Sequence, residues 1–191
     1  MLKAVIFDMD GTVTRPCIDW QALRARVGVP DGVPIVAHIE ALPADEGERA
    51  EAMLRDVEYE AAERAESNPG VAELFDCLAR QPLDLVLVTN NHRRAMRRVV
   101  EKLDLRFRLM LSREDAPMKP APDLLLLALD RLQLESCEAV FVGDGHYDRA
   151  ASAAARIPYI HLAHDPDGPS DGPTIHHLGE LPDHLGLDAT A

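Results

Sequence analysis

The sequence has little of what marks secreted or membrane-spanning proteins. Its 191 residues include only three cysteines, Cys17, Cys77 and Cys137, which are too few and too dispersed for a disulfide framework and indicate reduced thiols. The longest internal apolar run, residues 124–129, is far below the roughly 18 residues that span a bilayer. The apolar stretch before Asp8 is too short for a signal peptide. We therefore expect a cytoplasmic protein that does not enter a membrane.

Positive charge is also scarce. The chain has 20 basic against 33 acidic side chains, a formal net charge of −13, which argues against nucleic acid or anionic lipid as the main partner. Four arginines cluster at Arg93, Arg94, Arg97 and Arg98, and we interpret them as a solvated helix face rather than a polyanion site. A content of 47% apolar and 28% charged residues is typical of a globular protein. We expect a monomer or a weak dimer.

Apolar runs and helical patterns alternate along most of the chain. The runs that predict strands are residues 3–7, 83–88, 107–111, 139–142 and 158–162. The stretches that predict helices between them are residues 70–81, 92–103, 121–133 and 147–156. This order predicts an α/β fold with a mostly parallel five-stranded sheet.

Residues 15–69 interrupt the alternation. They contain three predicted helices, at 20–27, 35–42 and 45–67, and we interpret them as a helical insertion after the first strand. The remaining core then comprises residues 1–14 and 70–191. After His164 proline, glycine and aspartate dominate, which predicts an irregular tail wrapped on the core.

Polar residues follow three of the predicted strands, and a lone lysine precedes the helix at 121–133. The set consists of Asp8, Asp10, Gly11, Thr89, Asn90, Lys119, Asp144 and Asp148. Ligands of parallel α/β sheets bind beyond the carboxyl ends of the strands, so these side chains are candidates for one site. Because crowded carboxylates repel one another, we expect a bound cation, and a hard divalent ion with oxygen ligands, Mg²⁺, fits best.

Four segments of this set resemble the motifs of the haloacid dehalogenase-like hydrolases. The first is the run from Asp8 to Val13, Asp-Met-Asp-Gly-Thr-Val, and the second is Thr89 at the end of its strand. Lys119 with the following proline resembles the third motif, and the run from Gly143 to Asp148 resembles the fourth. The resemblance covers residues 1–14 and 70–191, and it includes the phosphoglycolate phosphatase-like branch. It implies a Rossmann-like three-layer core with a small all-helical cap at 15–69.

The resemblance also implies roles for the two aspartates of the first motif. Asp8 would be the nucleophile that forms an aspartyl-phosphate. Asp10 would be the general acid and base, which protonates the leaving alcohol and then deprotonates water. Gly11 would allow a sharp backbone turn beside the reacting centre.

The other motif residues would hold the phosphoryl group and the metal. Thr89, Asn90 and Lys119 would bind phosphoryl oxygens. Mg²⁺ would be bound by the Asp8 and Asp144 carboxylates and the Asp10 backbone carbonyl. Asp148 would orient Lys119 or a metal-bound water.

Two features narrow the chemistry that the resemblance implies. Family members that cleave carbon–halogen bonds lack an acid at the position of Asp10, and residues 15–69 contain no lysine for a Schiff base of the phosphonate-cleaving type. We therefore expect a Mg²⁺-dependent phosphatase acting on a small phosphorylated metabolite. A sugar phosphomutase with the same aspartate pair and a catalytically silent phosphate-binding protein remain alternatives. Arg15, Trp20, Arg24 and Arg26 are candidates for substrate contact by their position, and a place in the cap core or on the solvated surface is the alternative.

Overall fold

A computed structural model describes residues 1–165 and 172–187, and its centre is a wholly parallel six-stranded sheet. The strands are β1 (Ala4–Phe7), β2 (Asp84–Val88), β3 (Leu109–Leu111), β4 (Ala139–Gly143), β5 (Tyr159–Leu162) and β6 (Thr174–Ile175), in the spatial order β3-β2-β1-β4-β5-β6. The predicted α/β class is confirmed. The count of five strands was wrong by one, because β6 is two residues long and carries no readable pattern.

Eight α-helices accompany the sheet in the described part of the chain. They are α1 (Trp20–Val27), α2 (Ile35–Ala41), α3 (Ala44–Arg64), α4 (Val71–Leu78), α5 (Arg93–Lys102), α6 (Asp123–Leu132), α7 (His146–Ala155) and α8 (Leu181–His184). Among residues 1–165 and 172–187, none of the helices combines the length and apolar character that crossing a membrane demands.

The sheet is covered on both faces, which gives three layers. Val5 and Phe7 of β1 point into a core shared with α4 and α5, whereas Ala4 and Ile6 point into a second core shared with α6 and α7. Successive strand residues face opposite sides of a sheet, so a strand buried on both faces must be apolar throughout. The apolar run at the start of the chain meets that requirement, and the predicted three-layer arrangement is confirmed.

Helices α1, α2 and α3 have an apolar cluster of their own. Its buried members are Leu23, Ile39, Ala50 and Leu54. The chain leaves the sheet and returns to it through two adjacent linkers, since Thr14 forms an antiparallel bridge with Ser67. The assignment of residues 15–69 as a cap domain stays a prediction.

The segment after His164 is more regular than its composition suggests. Residues 172–187 contain β6, which pairs with β5, a 3₁₀ turn at Leu178–Glu180 and α8. Ile175, Leu178 and Leu181 are buried in the core that contains Val5 and Phe7 of β1. The tail packs on the core as predicted, but the prediction that it is irregular was wrong for this part, because its composition does not reveal the short strand and helix. Residues 166–171 and 188–191 lie outside the described residues.

Candidate active site

The carboxyl ends of β1, β2 and β4 lie side by side and bring the predicted residues to one edge of the sheet. Asp8, directly after β1, donates its backbone N–H to the Val142 carbonyl of β4 at 2.9 Å. One carboxylate oxygen each from Asp8, Asp144 and Asp148 lie within 4.8 Å of one another. The Asp10 carboxylate is not a member of this cluster, and the contribution of its backbone carbonyl to a metal site stays a prediction.

Lys119 lies buried among these acids. Its Nζ donates to Asp8 Oδ1 and, at 2.6 Å, to Asp148 Oδ1. The other oxygen of Asp148 accepts the Gly145 N–H at 3.0 Å, so this carboxylate is fixed at both ends. Burial lowers the pKa of Lys119, but the charges of Asp148 and Asp8 outweigh it and the net pKa is raised. Lys119 is thus held as an ammonium ion.

Burial acts on the pKa of the carboxyl groups in the direction opposite to its effect on Lys119. Burial raises the pKa of Asp8 well above its usual value, and the charge of Asp148 raises it further. Burial and then the charge of Glu58 raise the pKa of Asp10 to about 7, and burial with the charge of Asp148 raises the pKa of Asp144. Three close carboxylates and one ammonium leave a net negative charge, and the carboxylates offer hard oxygen donors. That donor set fits Mg²⁺.

The turn after Asp10 brings the first motif against Asp144. Gly11 has φ +86°, and a Cβ at this position would overlap the Asp144 carboxylate. Thr12 Oγ1 donates to Asp144 Oδ1 at 3.3 Å. The glycine is therefore required both by its left-handed backbone and by the close approach of the acid.

Asn68, in the returning linker, fixes the same turn. Its buried Nδ2 donates to the carbonyls of Gly11 (2.7 Å), Thr12 (2.8 Å) and Thr14 (3.2 Å). Sequence reasoning missed this residue because Asn-Pro-Gly is an ordinary turn signal.

The loop after β2 carries Thr89 and Asn90, which were predicted to bind phosphate. Buried Thr89 accepts the Asn91 N–H on Oγ1 at 3.1 Å. The Asn90 amide braces Lys119, since Nδ2 donates to the Lys119 carbonyl (2.7 Å) and Oδ1 accepts the Lys119 N–H (2.9 Å). The side chain of Asn90 is thus engaged with protein, and its contact with phosphate stays a prediction.

Two further residues near the site were missed. Asn91 hydrogen-bonds the Asp10 side chain, and its position next to Asn90 was the only available signal. His164 has its Nε2 3.5 Å from Asp144 Oδ2. Its place just after β5, another strand of the same parallel sheet, was the clue.

Comparison with known proteins decides the family. The sequence profile described as haloacid dehalogenase-like hydrolase matches residues 24–162. The chain belongs to the haloacid dehalogenase-like hydrolases. This confirms the family that the four motifs predicted, and with it the prediction of an enzyme.

Several haloacid dehalogenase-like relatives are similar along most of the chain. A haloacid dehalogenase-like hydrolase domain-containing protein of Arabidopsis thaliana is 32% identical over 78% of this chain, which spans 66% of that protein. An N-acetylmuramic acid 6-phosphate phosphatase of Pseudomonas aeruginosa is 30% identical over 96% of this chain and 95% of its own length. A phosphoglycolate phosphatase of Pseudomonas savastanoi is 26% identical over 85% and 70% respectively.

A solved structure shares the fold of this chain. The crystal structure of a hydrolase from Pseudomonas syringae superimposes with a TM-score of 0.78, at 18% identity, over 96% of this chain and 98% of that one. Together with the phosphatase relatives, the family match confirms a phosphoric monoester hydrolase.

Proposed function

We propose that this enzyme is a Mg²⁺-dependent phosphatase that hydrolyses a small phosphorylated metabolite through an aspartyl-phosphate on Asp8. The observation that carries the proposal is the cluster of Asp8, Asp144 and Asp148 around Lys119 at the carboxyl edge of the sheet. It combines a candidate nucleophile, a fixed cation for the phosphoryl oxygens and the donors for a metal ion.

In the first step, a carboxylate oxygen of Asp8 attacks phosphorus while the bond from phosphorus to the leaving alcohol breaks. Asp10 donates its proton to that alcohol oxygen. In the second step, Asp10 takes a proton from water, the water oxygen bonds to phosphorus, and the acyl-phosphate bond breaks to release phosphate and restore Asp8. Splitting the reaction in this way replaces one difficult displacement by two easier ones.

Lys119 and Thr89 would hold the phosphoryl oxygens during both steps, and Asn90 would keep Lys119 in place through its backbone contacts. The Asp8 and Asp144 carboxylates and the Asp10 carbonyl would bind Mg²⁺. When bound, the ion supplies positive charge that offsets the repulsion between Asp8 and the phosphate dianion. Asp148 would keep Lys119 pointing at Asp8.

The substrate class follows from the relatives. Two of the relatives named above act, by name, on phosphoglycolate and on N-acetylmuramic acid 6-phosphate, both small phosphorylated metabolites. The core handles only the phosphoryl group, so the choice among such metabolites would depend on residues 15–69. The acidic net charge supports a monomer or weak dimer without nucleic-acid or membrane partners. The few, dispersed cysteines support a cytoplasmic location.

The test measures release of inorganic phosphate from an aryl phosphate and from a panel of phosphorylated metabolites. Wild-type protein should turn over with Mg²⁺ and stop in excess chelator, and Asp8→Asn should lose essentially all turnover. Asp130→Asn, an exposed aspartate on α6, is the matched control and should keep full activity. Turnover that persists in chelator or in Asp8→Asn would overturn the proposal. Isomerisation of a sugar phosphate without net phosphate release would instead identify a phosphomutase.

A further inference from the structure

A buried carboxylate from the inserted helices reaches the loop after β2. Glu58 lies on α3 and is only 1% exposed. Its Oε2 accepts the His92 backbone N–H at 3.1 Å and lies 2.7 Å from His92 Nδ1, while Oε1 accepts from an Arg113 guanidinium nitrogen. His92 is itself buried and comes three residues after Thr89.

Arg113 contacts the same loop as Glu58 does. The guanidinium nitrogen that meets Glu58 also donates to the Asn90 carbonyl at 3.1 Å, and the Arg113 backbone N–H donates to the Asn91 carbonyl at 3.3 Å. Its second terminal nitrogen pairs with Glu51 of α3 at 3.1 Å. The loop over residues 89–92 is therefore held by Lys119 through Asn90 and by α3 through Glu58 and Arg113.

This arrangement suits positioning rather than substrate binding. Both Glu58 oxygens are already engaged, and among the described residues no buried side-chain nitrogen or oxygen lacks a hydrogen-bond partner. A buried carboxylate is costly unless its charge and lone pairs are compensated, and here the compensating groups all belong to or touch the loop that carries Thr89 and Asn90. Removing Glu58 would leave the His92 N–H without its partner, and it would leave the Arg113 guanidinium with the Asn90 carbonyl and Glu51 but without the buried carboxylate.

We propose that Glu58 is a positioning residue that fixes the loop over residues 89–92. High-affinity binding of the phosphoryl group therefore requires α3 to be docked on the core. This rests on the proposed function in that Thr89 and Lys119 are taken to bind the phosphoryl oxygens. Glu63 offers a matched control on the same helix. It also pairs with the core, through Arg98 of α5 at 2.7 and 3.1 Å, but at an exposed site.

The experiment titrates inorganic phosphate into Mg²⁺-loaded protein by calorimetry, which requires no turnover, and records the melting temperature of each variant. Glu58→Ala should weaken phosphate binding roughly tenfold, because a buried partner is lost, and Glu58→Gln should restore part of it through its amide oxygen. Glu63→Gln should bind phosphate as the wild type does. If Glu58→Ala does not fold, Arg113→Lys, which keeps the charge but not the fork, replaces it with the same expectation.

Equal phosphate affinity in the Glu58 or Arg113 variant and in Glu63→Gln would overturn the positioning role. So would a phosphate affinity that falls in Glu63→Gln as much as in Glu58→Ala, because docking in general would then be responsible. The Asp8→Asn and chelator results judge the phosphatase proposal separately, since they concern turnover and not the binding of phosphate.

Discussion

Lys119 illustrates how single residues define this site. Its ammonium contacts two carboxylates, Asp8 and Asp148, whose combined negative charge exceeds its own positive charge. A third acid, Asp144, lies within 4.8 Å of both, so the group as a whole keeps a negative excess. The lysine therefore aligns Asp8 without removing the need for a further cation.

Replacing Asp10 should lower turnover but leave phosphate binding intact, which tests its role separately from that of Asp8. Asp10→Asn keeps the shape and the backbone carbonyl but cannot transfer a proton, so kcat should fall by about 10²- to 10⁴-fold. Phosphate binding should change little, because the asparagine still fills the site. Steady-state kinetics with an aryl phosphate, alongside Asp130→Asn, measure both quantities. An Asp10→Asn enzyme with full kcat would contradict the assigned role.

Gly11 gives a second test, with Gly28 as its control. Both residues have a left-handed backbone, φ +86° and φ +77°, but a Cβ on Gly28 meets nothing within 4 Å, whereas on Gly11 it overlaps Asp144. Either alanine should cost roughly 1–2 kcal/mol of stability from backbone strain. Only Gly11→Ala should also weaken Mg²⁺ binding, as measured by calorimetric titration. Equal Mg²⁺ affinity in the two variants would mean that the close approach to Asp144 is not needed.

At the scale of elements, the two linkers behave as one unit. The outgoing linker offers the carbonyls of Gly11, Thr12 and Thr14, and the returning linker supplies the amide of Asn68 that binds them all. The geometry of the first motif therefore depends on a residue more than fifty positions away.

Asn68→Leu should expose that dependence. The buried carbonyls of Gly11 and Thr12 would lose the Asn68 amide as donor, whereas that of Thr14 would keep the Gly11 N–H. The free energy of unfolding should therefore fall by roughly 1–3 kcal/mol, and kcat should fall as well because the turn after Asp10 loosens. Ser67→Ala, at the neighbouring exposed position, is the control and should change stability by less than about 0.5 kcal/mol. Urea unfolding and turnover measure the two effects. An Asn68→Leu protein as stable and active as Ser67→Ala would contradict the account.

The sequence predicted those parts of the site that lie directly after strands. Asp8, Thr89 and Asp144 each end an apolar run, and parallel strands must bring such residues to one edge. Asn68, Glu58 and Arg113 could not be found in this way. Each acts through a contact between elements distant in the chain, and an isolated asparagine, glutamate or arginine in a helix or turn is ordinary surface composition. The arginines of α5 were interpreted as a solvated helix face for the same reason. In the structure Arg98 pairs with Glu63 of α3, and Arg94 stacks on Tyr59 of α3 at 3.9 Å.

At the scale of the whole molecule, the net charge of −13 and the crowded carboxylates of the site act in the same direction. Both disfavour the compact state when no cation offsets them. Because Mg²⁺ would bind the folded chain and not the unfolded one, its addition should stabilise the fold.

At a hundredfold excess over its dissociation constant, Mg²⁺ should raise the free energy of unfolding by about 2.7 kcal/mol. A melting curve in MgCl₂ against NaCl of equal ionic strength separates specific binding from general screening. Asp144→Asn should lose most of the shift. If NaCl raised the melting temperature as much as MgCl₂, or if Asp144→Asn responded like the wild type, the carboxylate cluster would not be a metal site.

The bridge between Thr14 and Ser67 has a consequence for how such a protein can change over time. The chain departs from the sheet and rejoins it at neighbouring points, so the stretch in between can grow, shrink or be exchanged without shifting the register of any strand. If that stretch selects the substrate, as proposed, new preferences can arise there while the sheet is inherited intact, provided that Glu58 keeps its contacts with His92 and Arg113.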